Sequence, residues 1–187
     1  MPNPSYLNGL LFYMAPVKKI LLFAGLFLLL FITGYSQGSA DKQVPIDSIQ
    51  LKTLRGGMVS YGSLALKNPV ILVCFWSVNN ESSINELNAI SAQYAQWKQR
   101  ASFTLMAICV DEGSLVNRMR PTANQNGWTF DVYADISGQL QQALSFSSVP
   151  QAMVLNKGQV VYQQAGYTAG TENYLFNKVL GLAPVKK

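Results

Sequence analysis

Val70-Ile-Leu-Val-Cys-Phe-Trp76 is an unbroken apolar run rich in β-branched residues, the pattern of a strand buried on both faces of a parallel sheet. Directly after it the apolar period changes. Ile84, Leu87, Ile90, Tyr94 and Trp97 recur at steps of three and four, which is one face of an amphipathic helix. A second buried strand is predicted over residues 103–110, ending at Asp111-Glu112-Gly113. A helical stretch then runs from Ser114, interrupted or ended by Pro121, towards Gly127-Trp128. Upstream, residues 46–54 and 58–61 read as a short hairpin around Gly56-Gly57. Downstream, a short strand at residues 130–133 and a helix near residues 138–144 lead to Val149-Pro150. Residues 151–155 and 159–167 then form an antiparallel hairpin about Asn156-Lys157-Gly158. A last helix carries Tyr174, Leu175, Val179 and Leu182. This order predicts an α/β fold: a central mixed sheet flanked by helices and preceded by an N-terminal hairpin.

Ahead of this domain, residues 20–33 (ILLFAGLFLLLFIT) carry no charge and follow Lys18-Lys19, a basic n-region and an apolar h-region. The run is shorter than the ~20 residues that a spanning helix needs. Gly34 and Ser36 place small residues where a signal peptidase reads, so cleavage is expected before Gln37. Residues 1–36 are thus read as a signal peptide or an uncleaved membrane anchor, with Met1 or Met14 as the start. Residues 37–45 are a polar linker, 46–182 the folded domain and 183–187 a tail. The domain is expected in the periplasm or otherwise outside the cytoplasm, secreted or membrane-anchored, touching a membrane only through its N-terminal segment.

Composition narrows the chemistry. With 187 residues, 49% of them hydrophobic and 12% charged, the chain suits one well-packed domain. The net charge of +5 includes Lys18 and Lys19 and is otherwise spread thinly. No basic block or aromatic-interleaved basic stripe occurs, so nucleic acid is not an expected partner. The chain contains no histidine, which removes the commonest general base and metal ligand. No metal or cofactor is expected. Cys74 and Cys109 are too far apart in sequence for a CxxC or metal-ligand spacing, and each lies inside an apolar strand, where a thiol is a small core residue.

Element order and several phrases together resemble the TlpA-like (ResA-like) periplasmic thioredoxin family, which is related to the redoxins of the AhpC-TSA kind. VILVCFW resembles the strand that enters the family's F-W-x-x-W-C-x-x-C motif, and LMAICVDE (residues 105–112) resembles the strand ending in Val-Asp. Gly127-Trp128-Thr129-Phe130, Ser148-Val149-Pro150-Gln151 and Ala165-Gly166-Tyr167 resemble three later phrases. With Phe75-Trp76 set on the family's Phe-Trp, Asn80 takes the place of the first cysteine, Ser83 the second, and Glu81 and Ser82 lie between them. The resemblance implies a thiol-disulfide oxidoreductase scaffold with a degenerate active site. It also implies a cis bond at Val149–Pro150, beside a groove where the residue before the proline offers backbone groups to an extended chain. The strands of Cys74 and Cys109 would be parallel neighbours ~4.8 Å apart, so a structural disulfide stands beside the core reading.

Thiol–disulfide exchange needs an attacking thiolate and a resolving thiol. Asn80 offers no nucleophile, Ser83 would need a base, and Glu81 puts negative charge where a thiolate would form. Asn79, Asn80, Ser82 and Ser83 instead suit a helix N-cap, and Glu81 and Glu86 suit its first turns. The leading expectation is a protein- or peptide-binding module, and not an enzyme, that recognises an extended polypeptide or envelope protein through its Asn80–Pro150 face. The alternative is a thiol-disulfide oxidoreductase or peroxide-reducing protein using Cys74 or Cys109. A third reading is a structural appendage of a membrane-tethered complex.

Overall fold

A computed structural model describes residues 44–67 and 69–184. The expected signal or anchor, nearly all of the linker and the last three residues of the tail lie outside the described residues.

Among the described residues seven strands form one mixed sheet in the order β2-β1-β5-β4-β3-β6-β7. They are β1 (Gln50–Thr53), β2 (Met58–Ser60), β3 (Val70–Trp76), β4 (Thr104–Cys109), β5 (Asp131–Ala134), β6 (Gln151–Asn156) and β7 (Gln159–Ala165). β3 pairs parallel with β4 and antiparallel with β6, and all seven of its residues are buried. Its unbroken apolar sequence follows from that position, since both faces of the strand are covered. Leu72, Cys74 and Trp76 belong to one core, and Ile71, Val73 and Phe75 to the other, as the alternation of side chains along a strand requires.

Helix α1 (Tyr61–Ala65) precedes β3, and the 20-residue α2 (Glu81–Arg100) follows it. α3 (Met119–Gln125), α4 (Gln139–Ala143) and α5 (Glu172–Leu180) complete the set. α2 and α5 supply Leu87, Ile90, Trp97, Leu175, Phe176 and Val179 to the first core. α1 and α4 supply Tyr61, Leu64 and Leu140 to the second. The architecture is the expected α/β sheet with helices on both faces.

Three local expectations change. Residues Ile46–Ser48 form a 3-10 turn ahead of β1, closed by Ser48 donating its N–H and Oγ–H to the Pro45 carbonyl. Pro121 does not end a helix but sits third in α3, behind a 3-10 turn at Gly113–Arg118. Its missing N–H is harmless there, because the first turn has no internal acceptor for it. In α5, Tyr174 is 64% exposed and Leu182 beyond it 38%. The inward face carries Phe176 instead, stacked on Trp97 with ring centroids 4.5 Å apart.

Gly62 ties the first turn to α1. A Cβ added there would come within 2.8 Å of the Asp47 Cβ and its backbone oxygen, which cannot yield as a flexible side-chain tip would. Gly62→Ala is therefore expected to lower stability by about 1–3 kcal/mol, the range for overpacking, in urea unfolding followed by circular dichroism. An unchanged midpoint would show that the Ile46–Ser48 turn does not press on α1.

Candidate functional site

The site forms where β3 hands over to α2. Asp111, just past the end of β4, is buried and accepts hydrogen bonds from the Ser77 hydroxyl (2.7 Å), the Val78 N–H (2.8 Å) and the Cys109 thiol (3.1 Å). One carboxylate thereby fixes the first two residues of the connecting loop. Arg118, in the turn before α3, donates to the Asn79 side-chain oxygen at 2.8 Å and holds the next residue from outside.

Asn80 then caps α2. Its Oδ1 accepts from the Ser83 N–H at 2.8 Å and from the Ser83 hydroxyl at 3.0 Å, satisfying a donor that the helix start leaves without a partner. Its Nδ2 donates to the Val149 carbonyl at 3.0 Å. The Val149–Pro150 bond is cis, the Pro150 ring is buried, and the Pro150 carbonyl accepts from Gly166 N–H at 2.9 Å. Phe146, four residues before Pro150, packs against Phe75 of β3 at 4.3 Å between centroids. Asn80, Ser83, Val149 and Pro150 thus meet in one place. Glu81 is exposed and Ser82 half-buried in the first turn of the helix.

This arrangement is poor for nucleophilic chemistry. The Ser83 hydroxyl is buried and directs its proton to an amide oxygen, which is not a base. The thiols lie deeper. On the paired strands Cys74 stands opposite Ala107, and Cys109 opposite Trp76. They share a face but are two residues out of register, and both are free. The disulfide expectation fails for that reason: directly opposed positions would bring Cβ atoms together, whereas a diagonal pair stands ~7–8 Å apart. Burial, with Glu86 adding to it, pushes the Cys74 thiol well above its ordinary range. Burial also pushes the Cys109 thiol up, and its S–H donates a hydrogen bond to Asp111. Both are held as protonated core thiols, far from the thiolate that exchange needs.

Glu86, expected as a first-turn acid of α2, and Glu172 at the start of α5 are both buried. Glu86 is 1% exposed and Glu172 is 6% exposed. Burial, then the nearby charge of Glu172, push the Glu86 carboxyl up to about 8. The signal was available: Glu86 lies three residues after Ser83 and four before Ile90 on the buried face of α2. Trp76 and Trp97 are core residues, and Trp128 packs edge-on against Trp76 at 4.9 Å while donating to Asn88 at 2.8 Å. Among the described residues no group of three or more His, Cys, Asp or Glu side chains is placed to hold a metal ion, and no helix is long and apolar enough to cross a membrane.

No family model and no curated protein matches the chain. Solved structures do. An uncharacterized thioredoxin-like protein from Porphyromonas gingivalis is 31% identical, over 75% of this chain and 91% of that one, with a TM-score of 0.64. A putative thiol:disulfide interchange protein DsbE from Chlorobium tepidum is 20% identical, over 77% and 99%, with a TM-score of 0.62. A secreted disulfide oxidoreductase from Mycobacterium tuberculosis is 18% identical, over 76% and 100%, with a TM-score of 0.60. The last two share the fold.

Asn80→Ala removes both the cap and the bond to Val149, and should cost about 2 kcal/mol in urea unfolding. Asn80→Ser keeps an N-cap acceptor but has no reach to Val149, so its loss should be roughly half as large. Equal losses in the two variants would mean that the Val149 bond contributes nothing.

Proposed function

The chain belongs to the thioredoxin-like proteins, and from that premise we propose that it is a TlpA-like member in which Asn80 and Ser83 stand where the CxxC sulfurs would be, working as a binding module outside the cytoplasm. The occupant of its Asn80–Val149–Pro150 face is an extended polypeptide, either free or as a segment of another envelope protein. The observation that carries this reading is the two-way use of the Asn80 amide at the helix start beside Pro150. A polar clasp takes the place of redox chemistry while the proline loop stays against the helix. An extracytoplasmic location is supported by the charge-free run after Lys18-Lys19 and by the secreted status of the similar Mycobacterium tuberculosis protein. Residues 1–36 serve as the export signal or anchor, and 46–182 as the binding domain.

Two arms test the proposal. In the first, the protein should not accelerate reduction of insulin by dithiothreitol. Turnover above background that disappears in a Cys74→Ser, Cys109→Ser variant would establish the oxidoreductase reading instead. In the second, a photo-crosslinking residue at exposed Ser148 should join an unfolded, cysteine-free model polypeptide, and one at exposed Lys157 should not. Equal labelling at both positions would overturn the binding face.

A further inference from the structure

Beneath the site the first core is not wholly apolar. Cys74 on β3 is flanked in register by Ala107 on β4 and Ala152 on β6, and Ala152 by Gln164 on β7. The Cys74, Ala107 and Ala152 side chains are small, and Glu86 of α2, 1% exposed, lies near enough to Cys74 to act on its thiol electrostatically. Neither Glu86 oxygen accepts a hydrogen bond from the protein, and Gln164 Nε2 and Thr171 Oγ1 are likewise buried without a protein partner. An unpartnered buried carboxyl is tolerable only while it keeps its proton.

The segment from Gly166 to Glu172 adjoins this region, with Tyr167 and Glu172 both coupled electrostatically to Glu86. Glu172, at the start of α5, accepts from Gly170 N–H at 2.9 Å, and Gln93 of α2 reaches its other oxygen at 3.5 Å. Gly166 and Gly170 have φ of 74° and 95°, so the segment turns at residues that carry no side chain. Its far end donates from Gly166 to the Pro150 carbonyl at 2.9 Å. The segment therefore links the buried acid to the proline loop of the site.

We infer that the proton on Glu86 is a latch: while it is held, residues 166–172 stay closed over α2 and brace the Pro150 loop, and when it is lost the segment lifts to admit water. The inference stands on this packing and does not depend on what the Asn80–Pro150 face binds. The groups that act on Glu86 are Glu172 from α5, Cys74 from β3 and Tyr167 from the adjoining segment itself. Burial pushes Cys74 and Tyr167 upward, so both remain neutral while Glu86 titrates. The sign is fixed by the folded carboxyl holding its proton to about pH 8 against an ordinary value of 4.5. Stability is full below the ordinary value, drains as pH rises between the two, and has lost this contribution above the higher one.

Carbon-detected NMR, which does not depend on exchangeable amide protons, provides the test. In the wild-type protein the carbonyl resonances of Pro150 and Gly170 should shift together with a midpoint near pH 8, alongside the Glu86 carboxyl carbon. Glu86→Gln, a neutral mimic of the protonated acid, should abolish the shared transition, and its urea midpoint should no longer fall across this pH interval. Glu172→Gln should move the transition to lower pH by removing the neighbouring negative charge. The latch is overturned if Pro150 and Gly170 show no common transition between about pH 6 and pH 10, or if the transition survives unchanged in Glu86→Gln.

Discussion

The junction between β3 and α2 has two needs that must be met by one side chain. The start of α2 leaves backbone N–H groups without acceptors, and the Val149 carbonyl, held beside a cis proline, faces the same point and needs a donor. A carboxamide has both an acceptor and a donor, separated by the width of the group. Asn80 uses them in opposite directions, towards Ser83 and towards Val149. Aspartate could cap but not donate, and serine could cap but not reach. This amide ties the Pro150 loop to the start of α2. Asp111 and Arg118 keep the preceding three residues where the amide can act.

The same bond bears on thiol chemistry at this helix start. A thiolate at a helix start draws on the dipole and the free N–H groups there. In this chain the Ser83 N–H is engaged by the neutral Asn80 amide, and both cysteine thiols lie inside the sheet, raised away from ionisation by burial. At this junction the helix start and the proline loop are joined by a structural tie, the Asn80 amide.

Much of the fold was legible because its strongest signals are one-dimensional. Val70–Trp76 is apolar throughout because both of its faces are covered, and the run of threes and fours from Ile84 to Trp97 marks the buried stripe of α2. Asn80, Ser83, Val149 and Pro150 could be brought together only through the resemblance, since nothing local in sequence links residue 80 to residue 149. The missed features depend on the third dimension. The offset of Cys74 and Cys109 is a matter of strand register, which an apolar run does not specify. Glu86 reads as an acid favouring a helix start until Leu87 and Ile90 are seen to turn it inward. Tyr174 and Phe176 compete for the face of α5, and the choice is made by Trp97, which offers a ring for Phe176 to stack on.

What we propose is positional: Asn80 and Ser83 stand at the two ends of a redox motif exchanged for a cap and a clasp. Its most direct test is Asn80→Cys with Ser83→Cys on a Cys74→Ser, Cys109→Ser background, oxidised and examined by intact-mass spectrometry. The account predicts an intramolecular bridge, seen as the loss of two hydrogens from the folded protein and reversed by dithiothreitol. A folded variant that keeps both thiols reduced under the same oxidation would contradict it, because the two positions would then not share the geometry of a CxxC turn.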